Sequence, residues 1–138
     1  MNAPFQVEVI PDEDQLYCRI HFVNIDQKEG ETRIKPQAFD PTPYQNPDGL
    51  STNWSKYSDA EKSKLNAIKP ENYGVISFLV EKVRQIPLRV IHDPTQEPPL
   101  NQAHTLILDI PPRKQNDARI TMKLRDIAIW EIYYVKTE

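Results

Sequence analysis

The sequence predicts one α+β domain of about five strands and three helices. Three observations lead there. Apolar and polar residues alternate over 15–23, 104–110 and 129–135; helical caps or periodicity mark 58–68, 73–86 and 116–128; and 138 residues suit a single core that buries roughly two-thirds of the unfolded chain's surface. No repeat, low-complexity tract or change of composition divides the chain, so residues 1–138 read as one domain with the helices on one side of the strands.

The elements follow in order. FQVEVI (5–10), the turn PDED and QLYCRIHFVN (15–24) predict an N-terminal β-hairpin. Side chains alternate along a strand, so Leu16, Cys18, Ile20 and Phe22 belong to the core face, and Arg19 and His21 share the opposite one. Residues 24–57 read as irregular: TRIK could be a short edge strand, but Pro36, Pro41, Pro43, Pro47 and the Asp48-Gly49 turn break the remainder. A connection this long is usually functional or disordered, and Phe39, Tyr44, Leu50, Trp54 and Tyr57 favour a packed loop.

Ser58 with Glu61 forms a capping-box pattern that opens a short polar helix ended by Pro70. YGVISFLVEKVRQI (73–86) places Val75, Leu79, Val83 and Ile86 on one helical stripe, predicting the main core helix. LRVIH (88–92) and HTLILDI (104–110) form a central strand pair around the loop of 93–103. A third helix spans NDARITMKLRDIA, with Asn116 as cap and Ile120, Leu124 and Ile127 inward. IWEIYYV closes the chain as a strand, with Trp130, Ile132 and Tyr134 sharing a face.

Composition removes several classes. One cysteine excludes an internal disulfide and any zinc site built on cysteines. No basic start with an apolar stretch opens the chain, and no apolar run nears the ~20 residues that a bilayer requires, so a cytoplasmic protein without a membrane partner is expected. With 13 prolines, nearly double the usual share of about 5%, and only 3 glycines, the connections should be stiff. A glycine-rich phosphate cradle cannot be built, and no nucleotide, metalloprotease or nucleophile-elbow motif occurs, so no cofactor is expected. The net charge of −3 conceals a basic stretch at 113–125 that includes Arg119 and Lys123. Such a stretch is more often a solvated face than a nucleic-acid contact.

Polar candidates come from the strands. His92 and His104 close off HDPTQEPPLNQAH, and on paired strands their rings could meet at the loop mouth, yet their spacing matches no familiar metal-ligand motif, so no metal is expected. Cys18 falls on the buried face, a poor place for a nucleophile. Arg19, His21, Ser51 and His104 are the candidate catalytic residues. His21 and His104, in IHFV and AHTLI, resemble the paired histidines of phosphoesterases with two H-x-[ST] motifs, but neither has its hydroxyl in the required place. Arg19, Ser51-Thr52 and Glu131 resemble the Arg, Ser-Thr-Ser and Glu signature of ADP-ribosyltransferases; Asn53 stands where the second serine belongs, and no paired Glu or Gln lies two residues before Glu131.

A broader resemblance covers most of the chain. Leu16-Tyr17-x-Arg19-x-His21, Gln37-Ala38-Phe39-x-Pro41-Thr42, Leu50-Ser51, Gly74-Val75, Asp93-Pro94 and Ala103-His104 resemble a set of small uncharacterised bacterial proteins. It implies no activity, and it points at Arg19, His21, Ser51 and His104.

Three functions are expected from this reading. The first is an accessory protein that binds another protein through the 36–57 loop, with Tyr44, Trp54 and Tyr57 as aromatic anchors. The second is a small phosphate- or nucleotide-directed enzyme in which Arg19 grips an anion and His21 acts with Ser51 or His104. The third is nucleic-acid contact through Arg119 and Lys123. Geometry discriminates: the enzyme requires Arg19, His21, Ser51 and His104 to open into one cavity.

Overall fold

Along β1 (Gln15–His21), Leu16, Cys18 and Ile20 are buried, while Tyr17, Arg19 and His21 between them are half-buried on the other side. That alternation is what a strand with one apolar face requires, and it is the register expected from the sequence. The computed structural model describes residues 4–28, 30–42, 45–112 and 118–136. After β1 come a 3-10 turn at Phe22–Asn24, a ribbon of β2 (Ile25–Lys28) and β3 (Glu31–Ile34), and a second 3-10 turn at Pro36–Phe39. β4 (Leu50–Trp54), α1 (Ala60–Leu65), β5 (Tyr73–Leu79) and α2 (Val80–Gln85) follow. The chain continues through β6 (Arg89–His92), β7 (His104–Leu108), α3 (Arg119–Ile127) and β8 (Ile129–Ile132).

Six of these strands form one antiparallel sheet in the order β6-β7-β4-β1-β5-β8. The α+β class holds, but the described residues carry eight strands rather than about five. The helices also divide between the two faces. Val80 and Val83 of α2 and Leu124 of α3 join Leu16, Ile20, Phe39 and Trp54 in the apolar core. α1 lies over the opposite face, where the Ser63 carbonyl accepts from Arg19 and the Ser63 hydroxyl accepts from Asn53.

The main correction concerns residues 73–86. The expected core helix is a strand followed by one and a half helical turns. Gly74 to Phe78 are buried without interruption because β5 is covered on both faces and has a strand on either side. A doubly covered strand is apolar almost throughout, here broken only by Ser77, so the helical stripe through Val75, Leu79 and Val83 was a coincidence of spacing. Of the predicted helix, only α2 survives.

Two further expectations fail for related reasons. The N-terminal hairpin does not form. Residues 5–10 are extended but outside the sheet: Val7 and Val9 are exposed, only Ile10 is buried, and Phe5 bonds the Gln96 side chain through both its amide and its carbonyl. The 24–57 segment is not irregular throughout, because LSTNW forms β4 in the middle of the sheet. Its polar residues disguised it, and each buried one has a partner: Thr52 bonds Thr105, and Asn53 bonds Ser63 and Asn101. α1 is capped one residue later than expected, by Asp59 accepting from the Lys62 amide at 2.8 Å. The expected pair β6–β7, the third helix and the C-terminal strand are present; the Asn116 cap lies outside the described residues. No helix among the described residues is long and apolar enough to cross a membrane.

Candidate active site

The site begins as a defect in strand pairing. β1 pairs with β5 over its whole length, but with β4 only at Leu16↔Trp54 and Tyr17↔Asn53. Beyond that point the two central strands diverge. At the entry to β4, Gly49 has φ +129° and lies against β7, where an added Cβ would lie 2.9 Å from Leu108 Cδ2 and 3.0 Å from the Ile107 carbonyl oxygen. A side chain there would be strained and crowded.

Backbone groups turn toward alternate neighbours along an antiparallel strand. Gln15 O accepts from Ser55 N on the β4 side, so Arg19 and His21 direct their backbone toward β4, and Ser51 by the same alternation directs its own toward β1. All three lie past the last ladder pair and face the gap. The gap opens into a cavity of about 290 Å³ lined by residues that include Arg19, His21, Ser51, Asn53, Tyr73 and His104. The four sequence candidates for catalysis therefore share one cavity.

Among the described residues, no Asp or Glu lines it. Arg19 is half-buried and donates Nη1–H to the Ser63 carbonyl at 2.9 Å, with its guanidinium 5.9 Å from the centre of the Tyr73 ring. It has no ion-pair partner among the described residues. Its guanidinium therefore keeps its charge at the edge of the cavity without a carboxylate among the described residues to offset it. Tyr17 also lines the cavity; burial first, then the Glu131 and Asp59 carboxylates, raises its phenol above the usual range and keeps it protonated.

Ser51 and His104 are in direct contact. Ser51 Oγ lies 2.8 Å from His104 Nε2. On the other ring edge, His104 Nδ1 lies 2.8 Å from the Asp93 carbonyl oxygen and 3.2 Å from Asp93 Oδ2. Both of those atoms are acceptors, so Nδ1 carries the proton and Nε2 presents its lone pair to the serine hydroxyl. The Asp93 side chain is 53% exposed, so solvent screens its charge and the carbonyl is the tighter orienting group. His21 has the opposite tautomer. Its Nδ1 accepts from the Val23 amide at 3.2 Å, which leaves Nε2 as a donor.

The other candidates lie elsewhere. His92 does not meet His104: it is opposite Thr105 on the ladder, and His104 is one residue further on and so projects from the other face of the sheet. Buried His92 accepts from the Glu8 amide at 3.0 Å, donates to the Gln102 carbonyl at 2.7 Å, and packs edge-on against Trp54. Trp54, expected as a surface anchor, is 1% exposed and donates to Asp14 Oδ2 at 2.8 Å. Tyr57 is half-buried, bonded to Glu8 and packed on Trp54. Tyr44 lies outside the described residues. Arg119 and Lys123 are exposed on α3, and neither lines the cavity. Glu131 accepts from Ser77 on the far side of β1 and does not reach the cavity either; Thr52 is buried at the cavity wall, with its hydroxyl bonded to Thr105.

Among the described residues no group of three or more His, Cys, Asp and Glu is arranged to hold a metal. Sequence reasoning missed the role of Asp93 and the gap itself. The gap had no sequence signal, because it is a property of how two strands pair.

A scan against protein-family models and searches of curated proteins and of solved structures returned no match to this chain.

Proposed function

We propose that this protein is a small serine-dependent hydrolase or transferase acting on an anionic ester. Ser51 is the nucleophile, His104 the base, Asp93 the group that orients the imidazole, and Arg19 the anion grip. The observation that carries the reading is the relay from Ser51 Oγ to His104 Nε2 at 2.8 Å, with Nδ1 tied to Asp93. A nucleophile, a base in the right tautomer and an orienting acceptor are the three parts that nucleophilic catalysis requires.

The chemistry follows from those atoms. Ser51 Oγ bonds to the electrophilic centre of the ester and its proton passes to His104 Nε2. The ester bond breaks, and the leaving oxygen takes that proton. Water then attacks the serine ester with His104 again accepting the proton, which is returned to Ser51 as its oxygen departs. An alcohol in place of water makes the same sequence a transfer.

A fluorophosphonate probe with mass-spectrometric mapping tests this. The expected result is a single adduct on Ser51, absent from Ser51→Ala and at least about a hundredfold slower in His104→Ala, as loss of a general base predicts. An unlabelled Ser51 in folded protein, or labelling indifferent to His104, would overturn the reading.

A further inference from the structure

The gap between β1 and β4 identifies the anion. We infer that it is a phosphoryl-binding site, and that the substrate is a phosphate ester lodging its phosphoryl group between Arg19 and Ser51. The identification of substrate rests on the reaction proposed at Ser51; the binding site itself does not.

Three kinds of donor converge on this gap. The Arg19 guanidinium keeps N–H groups beyond the one given to Ser63. His21 offers Nε2–H, because Nδ1 accepts from the Val23 amide. Backbone amides of Arg19, His21 and Ser51 face the gap past the last ladder pair. These donors come from both sides of the split. A planar carboxylate offers two oxygens in one plane, whereas a phosphoryl group offers three in a tetrahedral fan, which can engage strands on both sides at once. The absence of Asp and Glu from the lining among the described residues means that none of these repels a dianion.

Position supports the same conclusion. Had the ladder continued two residues beyond Tyr17↔Asn53, Arg19 would sit opposite Ser51. The split therefore puts a cation across from the proposed nucleophile, with room between them for a ligand group. His21, with Nδ1 engaged by the Val23 amide, serves through Nε2–H as a hydrogen-bond donor to a phosphoryl oxygen.

The test uses full-length protein and inorganic phosphate. Amide and imidazole NMR shifts of ¹⁵N-labelled protein are followed with phosphate and, separately, with acetate. Saturable shifts at Arg19, His21 and Ser51 with phosphate alone are expected. Affinity should fall at least about tenfold in Arg19→Gln, the loss of one charged hydrogen bond. Because Arg19 also braces Ser63, His21→Gln is measured beside it and is expected to weaken phosphate binding in a folded chain. Phosphate should also protect Ser51 from the fluorophosphonate. If Ser51 is labelled but phosphate neither shifts these residues nor protects, the phosphoryl site is overturned and the nucleophile stands. If phosphate binds here and Ser51 stays unlabelled, the site stands and the proposed reaction fails. Equal binding of acetate would overturn the choice of phosphate.

Discussion

Ser51 and His104 occupy neighbouring strands, offset by one diagonal step: Ser51 is opposite Leu106, His104 is opposite Asn53, and the two side chains share the polar face of the sheet. That offset is what allows Oγ and Nε2 to approach to 2.8 Å, since diagonal neighbours on one face lie within reach of a long side chain. Arg19 flanks Ser51 on the other side, across the split.

Ser51→Ala should leave stability within about 0.5 kcal/mol, because the residue is exposed and loss of its hydroxyl opens no cavity. Thermal melts of wild type and variant check this.

Gly49 leads into the strand that carries Ser51, and its substitution should be felt at the site. Gly49→Ala places a Cβ within 3.0 Å of β7 atoms in a backbone region closed to most side chains. The expected loss of stability is about 1–3 kcal/mol, accompanied by amide shifts in Arg19 and Ser51. Chemical denaturation and an amide spectrum read the two effects separately; a variant as stable as wild type would contradict the geometry.

Cys18 should be inert in the folded protein. Burial pushes its thiol up to about 12, against a smaller opposing effect of Arg19, and the thiolate is the reactive form. Iodoacetamide at pH 8 should leave Cys18 unmodified until denaturant is added, and the labelling should then follow the unfolding transition.

The extended N-terminal segment should detach in acid before the sheet melts. Glu8 bonds Lys56 and Tyr57, and these two bonds lower its carboxyl below the usual value of 4.5. A depressed folded value contributes stability that is present above the unfolded value and is lost as pH falls through the folded one. Proteolytic cleavage within residues 4–12 should therefore accelerate below pH 4.5, and Glu8→Gln should show the faster cleavage already at pH 7.

The alternation in QLYCRIH was enough to place Arg19 and His21 on one face and Cys18 on the other, because in a strand with one buried face each side chain's direction follows from its parity. The same local reasoning found β6, β7, α3 and β8, while the resemblances to known families singled out Ser51 and His104 as residues to watch. It could not find β5 as a strand, since burial on both faces erases the period that separates strand from helix. Nor could it recognise β4, whose Ser, Thr and Asn look like loop until Thr105, Ser63 and Asn101 answer their hydrogen bonds. Which residues meet was decided by tertiary pairing alone. His92 and His104 end up on opposite faces through a register set by β6 and β7, and the cavity exists because β1 and β4 stop pairing after two positions. Neither a register nor the end of a ladder is encoded in any single segment; each is settled when two distant strands are brought side by side.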